Sequence, residues 1–68
     1  MKQQTQPPGV AIKALREMAS MTLKEVATGA DTSVSYLSKV ENGVFHPTQT
    51  YVARVVGFIS SSMLRKAA

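Results

Sequence analysis

Thr22 to Gly43, reading TLKEVATGADTSVSYLSKVENG, limits the possible folds of this 68-residue chain more than any other stretch. It holds two short helical patterns separated by a break. The first opens at Thr22-Leu23-Lys24-Glu25, a Thr-x-x-Glu capping box. In such a box the threonine hydroxyl accepts from the glutamate amide, and the glutamate carboxylate accepts from the threonine amide. Gly29, Ala30, Asp31 and Thr32 then interrupt the pattern. Aspartate tolerates the left-handed backbone region better than most residues, so a sharp turn is predicted near Asp31, strained or stabilised by its side chain. A second helix is predicted from Ser33, a good N-cap, to Asn42, with Gly43 as its left-handed C-cap.

Successive helical residues advance by about 100°, which sorts this second helix into two faces. Ser33, Tyr36, Leu37, Val40 and Glu41 fall on one side; Val34, Ser35, Ser38, Lys39 and Asn42 fall on the other. The latter face carries no acid, one cation and several short hydrogen-bonding side chains. Such a surface can enter the major groove of DNA without electrostatic penalty.

Two helices joined by a tight turn, the second with a small polar face, suggest a helix-turn-helix. The segment resembles the Cro and lambda-type repressor family of DNA-binding domains, most clearly in SYLSKVENG from Ser35 to Gly43. Ile12-Lys13-Ala14-Leu15-Arg16-Glu17 resembles that family's first helix and Pro47-Thr48 the start of its fourth, so the likeness spans roughly residues 10 to 64. It implies an all-α, compact bundle of four or five helices. It also implies that Val34, Ser35, Ser38 and Lys39 face the groove and read bases. Val34 suits a thymine methyl, Ser35 and Ser38 can donate or accept, and Lys39 suits either the guanine edge or a phosphate. Thr22 and Asn42 match the family's phosphate-binding positions. Lys24, the helix start at Ser33 and the loop around His46 extend that phosphate set, since helix N-termini favour anions. Arg16 and Glu41 match positions that meet as an ion pair between the first and third helices. Three departures stand out. Asp31 replaces the usual turn glycine, Leu23 replaces a common glutamine, and Val44-Phe45 occupy a loop that is often basic.

Composition fits this reading. Eight Lys and Arg against four Asp and Glu give a formal charge of +4, which suits a polyanionic partner as well as plain solubility. There is no cysteine, so neither a disulfide nor a thiolate metal site can staple so small a domain. No apolar run approaches the ~20 residues of a membrane span, and the N-terminus lacks a signal-peptide core, so a cytoplasmic protein is expected.

The flanks read more simply. Met1 to Gly9 (MKQQTQPPG) is polar and proline-rich, an expected mobile arm ahead of a domain over residues 10–68. Val10 to Ala19 forms the first helix, with Ile12, Leu15 and Ala19 inward and Met18 and Met21 filling gaps. Val26 and Ala27 point inward from the second helix. Phe45 is expected to tuck against the core. His46 reads as a solvated loop residue, with a phosphate contact as the alternative. Thr48 is the expected N-cap of a fourth helix bearing Val52, Val55, Val56 and Ile59. Tyr51 and Phe58 read as covers of the core, with a partner surface as the alternative. Ser60-Ser61-Ser62 reads as a break before a short fifth helix, from which Met63 and Leu64 close the bundle.

No catalytic constellation is evident. The single histidine stands alone, and there is no cysteine nucleophile, phosphate loop or paired carboxylate. The expected protein is therefore not an enzyme and needs no metal, cofactor or small-molecule ligand. It is a transcriptional repressor of the phage Cro kind, inserting the helix over residues 33–42 into the major groove of double-stranded DNA. A pseudo-palindromic operator and a weak homodimer, formed chiefly on DNA, are the family expectation. The alternatives are a helix-turn-helix antitoxin and a protein-interaction module that does not read DNA.

Overall fold

The computed structural model describes residues 7–67. Four helices account for the secondary structure among them: α1 (Pro8–Met18), α2 (Leu23–Gly29), α3 (Val34–Glu41) and α4 (Gln49–Ala67). α1 and α2 each pack on both α3 and α4. The core lies at their junction, where Ile12, Val26, Leu37, Val40, Val55 and Ile59 are essentially sealed from solvent.

Each helix start has a local cause. Proline supplies a preset φ and lacks only an N–H that the first turn leaves unbonded anyway, so Pro8 begins α1. This helix starts two residues before the predicted Val10, and Gly9 is buried within it. Of the expected arm, residues 1–6 lie outside the described residues. α2 has the full capping box: Thr22 Oγ1 accepts from the Glu25 amide at 3.0 Å, and the Thr22 amide donates to Glu25 Oε1 at 2.8 Å. Ser33 Oγ accepts from the Tyr36 amide at 3.0 Å, and Thr48 Oγ1 accepts from the Tyr51 amide at 3.1 Å.

The first three helices end alike. Beyond α1, the Met21 amide donates to the Arg16 carbonyl and the Ser20 amide to that of Glu17. Beyond α2, Thr32 donates to Ala27 and Asp31 to Thr28; beyond α3, Val44 donates to Lys39 and Gly43 to Val40. This pair of bonds is the Schellman motif, and it requires a left-handed residue at its pivot. The pivots are Ser20 (φ 57°), Asp31 (φ 57°) and Gly43 (φ 80°). Asp31 makes no side-chain hydrogen bond among the described residues. The Asp31 side chain therefore does not stabilise the turn, and the left-handed strain is left in place.

Three sequence expectations are corrected. α4 runs unbroken through Ser60-Ser61-Ser62, so there is no separate fifth helix. Val55, Ile59 and Ser62 form one buried stripe that outweighs the modest helix propensity of serine. Leu64 accordingly points outward at 73% exposure, while Met63 packs on the core. Met18, at 71% exposure, fills no gap; Met21 does. Tyr51 is buried and Phe58 is half-buried against the core, so both serve as covers.

The capping box gives an acid-limb prediction. The Thr22 backbone amide, as hydrogen-bond donor, holds the Glu25 carboxyl below the usual carboxylate range, with smaller help from the Thr22 hydroxyl side and Lys66. A folded pKa below the unfolded one contributes stability that is complete above the unfolded value of about 4.3 and fades as pH falls through the folded value. Glu25→Gln keeps an acceptor but loses the titration. Its stability should therefore fall less steeply than wild type across that acid window. Parallel denaturation-versus-pH curves would rule the box out as the cause.

Candidate functional site

α3 presents one side to the core and the other to solvent. Leu37, Val40 and Glu41 are buried, whereas Val34, Ser35 and Lys39 are exposed and Ser38 is half-buried. The four predicted base-reading residues thus share the outer face, at spacings of one, three and four residues. Ser38 Oγ accepts from Asn42 Nδ2 at 3.4 Å, which joins the outer face to the helix end.

The outer face carries no acid because Glu41, the acid of this helix, is turned inward. Arg16 Nε donates to Glu41 Oε2 at 2.8 Å and Arg16 Nη2 donates to Oε1 at 2.9 Å, a bidentate pair. The side chains are only 12% and 4% exposed. Arg16 Nη1 also donates to the Met21 carbonyl at 2.9 Å. One guanidinium therefore ties together α1, the turn after it and α3. Its pKa is raised, first by the hydrogen bond to Glu41. No described buried side-chain polar atom is left without a partner.

The predicted phosphate-binding residues come from three elements. Thr22 and Lys24 lie exposed at the start of α2, Ser33 and Asn42 flank α3, and His46 is exposed in the loop beyond it. Thr22 and Ser33 each use a side-chain lone pair for capping, and the Ser33 hydroxyl keeps its proton for an outside acceptor. His46 makes no hydrogen bond among the described residues.

Phe45 departs from its expected place in the core. It remains 40% exposed and packs on Tyr36, with ring centroids 5.3 Å apart. Tyr36 in turn meets Tyr51 at 5.1 Å. A cation sits at each end of this row: Lys39 Nζ lies 5.5 Å from the Phe45 centroid and the Arg54 guanidinium 5.5 Å from that of Tyr51. Sequence reasoning missed the row. Only the Tyr51–Arg54 step has a readable i, i+3 spacing; the rest is joined by tertiary folding.

Little else on the surface suggests chemistry. An open apolar depression between α2 and α4 is lined by Met21, Gly29 and Phe58 among others. Among the described residues no cluster of His, Cys, Asp or Glu could hold a metal, and no helix is long and apolar enough to cross a membrane.

The helix-turn-helix family model matches residues 12–63, well over half of the chain. That interval runs from Ile12 of α1 to Met63 of α4. No curated protein and no solved structure gives a match of significance.

Proposed function

Because the chain belongs to the Cro- and lambda-repressor-like helix-turn-helix family, we propose that it is a sequence-specific transcriptional repressor acting on double-stranded DNA. It acts by laying α3 in the major groove and occluding a promoter. The observation that carries this reading is the asymmetry of α3. Its acid is sealed against Arg16, and its outer face shows Val34, two serines and Lys39, with the exposed edge of Tyr36 beside them and no acid. Groove walls are anionic, so an acid-free outer face is what such an approach requires. Thr22, Lys24, Ser33, Asn42 and His46 serve as phosphate contacts that fix register while the outer face reads sequence. Two copies, a weak homodimer completed on DNA, occupy a pseudo-palindromic operator with half-sites about 34–36 Å apart. Its setting is the bacterial cytoplasm, and a phage genome is the natural source of such a regulator.

The deciding measurement is a salt titration of affinity on random and genomic duplexes. The logarithm of affinity should fall linearly with that of salt on both, and one genomic fragment should bind far more tightly than random DNA. A negligible salt slope would instead favour a protein-interaction module on the same scaffold.

Lys39→Ala then sorts the outer face. If Lys39 meets guanine, the best site should lose about 1–3 kcal/mol and preference should relax at one base pair. If Lys39 meets phosphate, all duplexes should weaken together and the salt slope should shrink by about one. Unchanged affinity on every duplex would remove Lys39 from the interface.

A further inference from the structure

We infer that Phe45 is a positioning residue for Lys39, and that it thereby sharpens base preference at whichever base pair Lys39 faces. This inference rests on the DNA-reading role of α3.

A lysine on an exposed helix face has four methylenes and many rotamers. Restricting them before binding reduces what complex formation must order. The Phe45 ring supplies such a restriction, since an ammonium 5.5 Å from a ring centroid is attracted to the electron-rich face. The ring can do this only if it is itself held, and it is held from two directions. Gly43 turns the chain back, and the amides of Val44 and Phe45 both reach the carbonyl of Lys39, at 2.8 and 3.4 Å. The loop is thus bonded to the same residue whose side chain its phenyl group attracts. From the other direction Phe45 leans on Tyr36 at a 31° tilt, and Tyr36 leans on Tyr51. Tyr51 is anchored. It is buried, its hydroxyl lies 3.1 Å from Thr32 Oγ1, and its amide is capped by Thr48. The row therefore passes from a fixed residue of α4 to the tip of an otherwise free lysine. Core filling does not account for it, because Phe45 and Tyr36 both remain exposed.

Phe45→Leu tests this, since leucine keeps an apolar cover over Tyr36 but has no π face. Phe45→Tyr keeps the π face and should behave as wild type. The first readout needs no DNA: in the free protein, the ε-methylene protons of Lys39 should be shifted upfield by the ring, and the shift should vanish in Phe45→Leu. The second is a panel of duplexes varied one base pair at a time. Phe45→Leu should lose about two- to fivefold in discrimination at the base pair where Lys39→Ala loses most. Affinity for random duplex should stay near wild type, and thermal unfolding should report a folded protein. A Lys39 signal indifferent to Phe45→Leu would overturn the inference. So would undiminished discrimination despite the lost shift. If the wild type bound no DNA, the functional reading and the specificity role would fall together. A persisting ring shift would then mark that failure as distinct from a failure of the Phe45–Lys39 contact.

Discussion

Arg16→Met alone is expected to lower the unfolding free energy by about 3–5 kcal/mol, and Glu41→Leu alone by a similar amount. The magnitude follows from burial: with side chains 12% and 4% exposed, either single change strands a charge away from water. Replacing both removes the desolvation penalty along with the attraction, so the double variant should regain much of the loss. It should not regain all of it. The Met21 carbonyl takes a hydrogen bond from the same guanidinium and loses it in any Arg16 variant. DNA affinity in the single variants should fall through unfolding or a mis-set α3, without relaxing preference at one base pair. Chemical denaturation of the four proteins settles the matter, since simply additive losses would show that the two side chains do not interact.

Gly9→Ala should destabilise the protein by about 3 kcal/mol, the upper end for overpacking. Alanine ordinarily favours a helix over glycine by about 0.8–1.0 kcal/mol, so the sign here is set by packing alone. A Cβ at Gly9 would lie 1.9 Å from the Val40 carbonyl oxygen and 2.7 Å from its carbon. These are backbone atoms of α3 and cannot rotate aside. The two helices would have to separate, on the same stripe of α1 that carries Ile12 and Arg16. Gly57, in the middle of α4, is the internal control. A Cβ there meets nothing within 4 Å. Gly57→Ala should therefore stabilise by roughly 1 kcal/mol. Equal rises in melting temperature for both variants would show that α1 and α3 do not approach so closely.

Much of this architecture was legible because its punctuation is local. Thr22, Ser33 and Thr48 mark helix starts through bonds spanning three residues, and Gly43 marks a stop. The buried stripe of Leu37, Val40 and Glu41 follows from helical period. The Arg16–Glu41 pair crosses 25 residues and came from family likeness, not from any local signal. Pro8 could have been read as a first helical residue, but the polar composition around it masked the signal. The serine run misled because propensity is a weak local term beside a packed stripe that continues to Ser62. Phe45 misled because an aromatic residue can be satisfied by another aromatic outside the core. Tyr36 and Tyr51 provide that partner only after folding.

Ser20 and Asp31 give the chain an unusual latitude under selection. Each holds a helix stop in the conformation that glycine adopts freely, at a strain of about 1 kcal/mol for a residue with a Cβ. Both are exposed, and neither belongs to the core or to the outer face of α3. A change to glycine at either place would relieve strain without touching what the protein reads. At Asp31 it would also remove an anion from the carbonyl end of α2, where negative charge is disfavoured. A small regulator must change its reading face to follow a drifting operator, and most such changes destabilise. The two turns give this lineage a way to offset those losses from outside the interface, so changes on α3 that the present sequence could not tolerate become accessible one step later.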